Sequence, residues 1–63
     1  MIISIIIPCF NEEKTILQII DQILNVKGIN KEIIIIDDHS TDGTKALLKN
    51  KVSKNVQKII YKD

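Results

Sequence analysis

Two short runs of isoleucine constrain this chain more than anything else in it. They are Ile2-Ile3-Ser4-Ile5-Ile6-Ile7 and Ile33-Ile34-Ile35-Ile36. A side chain branched at Cβ loses χ1 freedom in a helix and packs well on a pleated surface, so such runs predict strands. Because they are almost continuously apolar rather than alternating, they predict strands covered on both faces, as in parallel sheets. The first run does not read as a signal peptide: it lacks a basic leading region and ends at Pro8. It is also far short of the roughly 20 apolar residues that span a bilayer.

Helical spacing appears between and after the runs. Asn11 is a candidate N-cap, with Glu12 and Glu13 placing negative charge in a first turn. Ile16, Ile19, Ile20, Ile23 and Leu24 then form one apolar stripe, and the helix should stop near Asn25, before Gly28. The second strand should open at Lys31 or Glu32 and run through Ile36, with a loop over Asp37 to Ser40. Thr41 or Ser40 can cap a second helix with Asp42 in its first turn. Its apolar content, Ala46, Leu47 and Leu48, predicts a short, partly exposed helix. A third strand is expected from Val56 to Tyr61. The order β-α-β-α-β with right-handed crossovers gives a parallel sheet. It is half of a doubly wound, three-layer Rossmann-like α/β domain. An edge strand so apolar would stand unpaired, which natural sheets avoid. The reading is therefore of one partial domain, residues 1–63, belonging to something longer.

Composition narrows the functional classes. Sixty-three residues make at most one small domain of marginal stability. One cysteine, Cys9, allows no internal disulfide, and with His39 the only histidine no zinc-type cluster forms. A free thiol fits a reducing cytoplasm. A net charge of +1, with both signs mixed along the chain, gives no electrostatic case for nucleic acid or an anionic membrane. All nine cations are lysine, so no arginine fork is present to grip phosphate.

Both strand ends carry polar groups: Pro8-Cys9-Phe10-Asn11-Glu12 after the first, Asp37-Asp38-His39-Ser40-Thr41-Asp42-Gly43-Thr44 after the second. In a parallel sheet both lie on one edge, outside the carboxyl ends of the strands, where ligands of open α/β sheets bind. Carboxylates accept hydrogen bonds from ribose hydroxyls or base N–H groups, and the Phe10 ring can stack on a base. This set suits a nucleoside better than bare phosphate, which calls for glycines and cations. No G-x-G-x-x-G follows the first strand, so the dinucleotide fingerprint is absent.

Three other readings fail or stay weak. Asp38 to Gly43 looks like the start of a calcium loop, but Lys49 holds the final glutamate's place and a strand precedes it. Thr41-Asp42-Gly43-Thr44 looks like the signature of haloacid-dehalogenase-type phosphatases, but Ser40 stands where the nucleophilic aspartate belongs. Cys9 with His39 as its base is conceivable on one sheet edge, although Cys9 reads more simply as a small residue in a turn. Plainer roles also compete: Asn11 to Glu13 could merely start a helix, Asp37 and Asp38 form a solvated turn, and Phe10 pack into the core. Lys45, Lys49, Lys51, Lys54, Lys58 and Lys62 read as a solvated face.

Taken together, Ile5-Ile6-Ile7-Pro8-Cys9-Phe10-Asn11-Glu12-Glu13 and Glu32 to Thr44 resemble the two N-terminal signatures of family 2 glycosyltransferases, of GT-A fold, in order and spacing. The N-E-E and S-x-D-G-T elements are similar to the dolichyl-phosphate mannose synthase-like branch. The resemblance implies a donor site in which Pro8, Phe10 and Glu12 lie along the nucleotide, Phe10 near the base and Glu12 near the ribose. Ile36 and Asp38 would complete the nucleoside pocket, with Asp38 hydrogen-bonding the base. The family more often has tyrosine where this chain has Phe10, which removes one hydroxyl and keeps the stacking face. Ser40, Asp42 and Thr44 would mostly shape the loop and cap the second helix.

The resemblance also implies a donor of UDP- or GDP-sugar type and inverting transfer of its sugar to an acceptor. Mg²⁺ or Mn²⁺ would be held by a D-x-D motif that is absent from these 63 residues. The expected function is the nucleotide-sugar-binding portion of a glycosyltransferase, inactive alone and located in the cytoplasm. The rest of the domain would lie in the same or a second chain, and membrane association or a lipid acceptor would come through regions outside this one. The alternatives are a non-catalytic nucleotide-binding or assembly module that works with a second chain, or the product of a decayed gene.

Overall fold

The structure, a computed structural model, describes residues 1–62. The order is β1 (Ile3–Cys9), α1 (Ile16–Leu24), β2 (Lys31–Asp38), α2 (Thr44–Leu47) running into a π-helical turn (Leu48–Val52), then β3 (Lys58–Lys62). The strands form one parallel sheet in the order β1-β2-β3. This is the α/β, Rossmann-like half expected from the isoleucine runs.

Both connections step in the same direction across the sheet, so right-handed crossovers place both helices on one face. The core lies between them and the sheet: Cys9, Ile33 and Ile35 meet Ile16 and Ile20 of α1 and Leu48 and Val52 of the π turn. Ile7, Ile23, Leu47, Val56 and Ile59 pack around it. The opposite face is open. Ile6 is 59% exposed and Ile60 38% exposed, while Ile33 and Ile35, one residue out of phase, are 1% and 0% exposed. The expectation of strands covered on both faces is therefore met on one face only by the described residues.

The elements differ locally from the sequence reading. Pro8 does not end β1; it continues it, opposite Ile36. Among the described residues β1 pairs with β2 alone, so the missing Pro8 N–H costs no ladder bond with β2 if it points away from that strand. β2 extends through Asp37 and Asp38 rather than stopping at Ile36, because both residues keep register with Tyr61 and Lys62 of β3. β3 itself starts at Lys58, two residues later than expected.

Asn11 does not cap α1. Glu12 starts the winding instead: its carbonyl accepts the amides of Thr15 at 3.0 Å and Ile16 at 2.8 Å, and the regular helix begins at Ile16. Its other end matches expectation, with Asn25 as C-cap and Gly28 in the left-handed region at φ 79°. The second helix is longer in reach than its leucines implied. Thr44, Leu48 and Val52, four residues apart, are all buried. The π turn closes with the Ser53 amide on the Leu48 carbonyl at 2.8 Å.

Candidate nucleotide-binding edge

Strand alternation sorts the residues at the carboxyl edge into two sets. Successive side chains point to opposite faces, and parallel partners share a face. Cys9 and Asp37, paired across β1 and β2, turn to the core and are 2% and 0% exposed. Pro8 pairs with Ile36, and Asp38 lies two residues further along the same face. Pro8, Ile36 and Asp38 thus share the open face at the strand ends, Ile36 half-buried and the other two exposed. Phe10 follows β1 and is 56% exposed, so it is not a core residue. Glu12 is half-buried and sits at the start of α1, its carboxylate accepting the Thr15 hydroxyl at 2.6 Å. Of the five expected donor-site residues, three form one contiguous surface; Phe10 and Glu12 lie on the loop that continues it.

The loops after β1 and β2 bind each other. Asp37 accepts both the amide of Ser40, at 3.2 Å, and its hydroxyl. The Ser40 oxygen in turn accepts the Asn11 amide at 2.9 Å. Thr44 Oγ1 accepts the Glu12 amide at 2.9 Å and donates to Asp42, whose other oxygen accepts the Glu13 amide at 3.5 Å. Asn11 Oδ1 accepts the amides of Thr41, at 2.7 Å, and Asp42, at 3.2 Å. Asn11 and His39 hold positive φ, 51° and 58°, a region that asparagine and histidine enter more readily than most residues. The sequence assigned Asn11, Ser40, Asp42 and Thr44 local roles; Ser40 and Asp42 do keep local partners in Asp37 and Thr44, but all four also bond across about 30 residues. The usable signal was the alternation Ser40-x-Asp42-x-Thr44, three side-chain oxygens that meet three consecutive amides.

Gly43 belongs to the same contact. A Cβ there would sit 2.4 Å from Glu13 Oε2, so a larger residue must push the Glu13 carboxylate aside. Asp42 does lie just ahead of α2, and its carboxylate accepts the Thr44 amide at 2.9 Å. Burial works to raise the Asp42 carboxyl, but hydrogen bonds from Thr44 and the Glu13 amide outweigh it and hold it below the usual aspartate range.

The electrostatics argue against a thiol nucleophile. Burial, then the charges of Asp37, Glu12 and Asp42, push the Cys9 thiol up to about 11, so it stays protonated. His39 lies exposed on the other loop. Nor do the residues fit a divalent cation. Asp37 and Asp38 are adjacent, but they leave opposite faces of β2, and both Asp37 oxygens are engaged by Ser40. Among the described residues, no group of three or more His, Cys, Asp or Glu side chains gathers to hold a metal.

A shallow cavity of about 340 Å³ lies at the opposite, amino end of the strands, lined by Ile2, Asn30, Lys31, Glu32 and Gln57. It contains none of the carboxyl-edge residues, and the Lys31 ammonium there is committed to the Val26 carbonyl at 2.6 Å. It has neither an aromatic face nor a helix N-terminus.

The profile of glycosyl transferase family 2 matches residues 4–63, nearly the whole chain. The chain belongs to glycosyl transferase family 2. Neither curated proteins nor solved structures give a match. Membership of family 2 implies a nucleotide-sugar donor in general terms. Among the described residues, no helix is long and apolar enough to cross a membrane.

Proposed function

We propose that the open face of the carboxyl edge reads the nucleoside of a nucleotide-diphosphate sugar donor. One observation carries the reading: strand register gathers Pro8, Ile36 and Asp38 on a single exposed face at the strand ends. Pro8 and Ile36 supply an apolar floor, and the exposed Phe10 ring supplies a stacking surface. Asp38 carries an exposed carboxylate for a base N–H, and Glu12, one of whose oxygens accepts the Thr15 hydroxyl, offers its other oxygen to ribose hydroxyls. The proposed donor class is UDP- or GDP-sugar, and the N-E-E and S-x-D-G-T elements favour the dolichyl-phosphate mannose synthase-like branch. A divalent cation would neutralise the diphosphate from carboxylates outside these residues. Residues 1–63 as a unit are then a nucleoside-binding part that does not transfer sugar alone.

Titration of UDP and GDP against the chain by calorimetry tests this. One nucleotide should bind, and Asp38→Ala should weaken it roughly tenfold or more, as loss of a charge-assisted hydrogen bond does. Equal affinity of wild type and Asp38→Ala removes Asp38 from the site. Sugar transfer by the unaided chain would contradict the claim of inactivity.

A further inference from the structure

The amides of Asn11, Glu12 and Glu13 are three consecutive donors on the first loop. They meet Ser40, Thr44 and Asp42, three side chains of the second loop. In return, Asn11 sends one side-chain oxygen to two consecutive amides of the second loop, Thr41 and Asp42. The whole assembly rests on Asp37, which is fully buried and bound to Ser40. The bonds are reciprocal and span 29 to 32 residues of sequence.

We propose that Asn11 is a positioning residue, the keystone of a reciprocal clasp that holds the Glu12 loop and the Asp38 loop in one fixed arrangement before any nucleotide arrives. Neither Asn11 nor the residues it grips need touch the donor. The benefit is preorganisation: a loop already held in its binding geometry loses less freedom on binding. Asn11 suits the place twice over, since it accepts a positive φ and its carbonyl oxygen has two lone pairs for two donors. The inference rests on the nucleoside reading given above.

Two substitutions separate the side-chain role from the backbone role. Asn11→Gly keeps the positive φ at no steric cost and loses the acceptor; Asn11→Asp keeps both. Amide hydrogen exchange and nucleotide titration are measured on each. In Asn11→Gly, Thr41 and Asp42 amides should exchange roughly tenfold faster or more, Ile35 should be unchanged, and nucleotide affinity should fall roughly tenfold. Asn11→Asp should restore both. If Asn11→Gly also loses protection at Ile35, the Thr44→Val and Thr44→Ser pair carries the test. Thr44→Val removes the oxygen that accepts the Glu12 amide and should weaken binding; Thr44→Ser should rescue it. Unchanged affinity in Asn11→Gly, alongside loss of Thr41 and Asp42 protection, overturns the positioning role. If wild type binds no nucleotide while those amides stay protected, the nucleoside reading fails and the positioning role with it. If wild type binds and Asn11→Gly still binds equally, only the positioning role fails.

Discussion

Asp37 and Asp38 are adjacent, chemically identical and opposite in fate. Asp37 turns inward, fully buried, with its carboxylate bonded to Ser40. Asp38 turns to the open face and is exposed. The same division runs through the sheet: Ile33 and Ile35 are in the core, while Ile6 stands 59% exposed. A strand with both kinds of residue at its end can thus do two jobs at one edge. Its inward face builds the scaffold, and its outward face stays open among the described residues. A pair of acidic residues at a strand end is therefore not automatically a chelating pair; its alternation must first be read against the sheet.

The largest expected contrast lies in the isoleucines. Ile35→Ala should cost about 2–5 kcal/mol, the range for truncating a buried aliphatic side chain, and leave so short a chain largely unfolded. Ile6→Ala should change stability by about 0.5 kcal/mol or less, as exposed substitutions do. Urea unfolding followed by circular dichroism checks both, and equal losses would abolish the distinction between faces. Next come the aspartates. Asp37→Ala should cost about 1.5–3 kcal/mol, because it removes hydrogen bonds to a buried charge. Asp38→Ala should leave the urea midpoint nearly unmoved.

The smallest expected effect concerns Cys9, the other inward residue at the edge. Its thiol, raised from an ordinary 9.0 to about 11, should react with iodoacetamide far more slowly than a free cysteine peptide at pH 8. The sign for stability follows: a group with a raised folded value contributes stability fully below about 9, and loses it as pH rises through about 11. A peptide-like alkylation rate in the folded chain would place Cys9 outside the core.

The strands and their parallel order were legible because β-branched runs speak for themselves locally. So was the stripe of α1, apart from its first turn. Pro8 misled because a proline breaks a ladder only on the side where its missing N–H would have paired, and which side is paired is set by the assembled sheet. Of the residues the sequence assigned to the second helix's apolar face, Ala46, Leu47 and Leu48, only Leu48 is fully buried; Val52 lay beyond the expected helix, and Thr44 completes the four-residue spacing with a hydroxyl that a hydropathy reading discounts. The clasp was illegible for a deeper reason. An asparagine there offers a local use, helix capping, which Asn11 does not take, and a distant one, gripping Thr41 and Asp42; only the assembled sheet brings the distant partners within 3.2 Å. The family signatures pointed to Pro8, Phe10, Glu12, Ile36 and Asp38, and register then showed which of them share a surface.

The nucleoside reading puts ligand binding at the outward carboxyl edge. Nuclear magnetic resonance mapping of a UDP or GDP titration tests it most directly. Shifts should appear at Phe10, Glu12, Ile36 and Asp38, with Ile2, Asn30 and Gln57 at the amino edge unmoved. Shifts concentrated at Ile2, Asn30 and Gln57, or no shifts with either nucleotide, would contradict it.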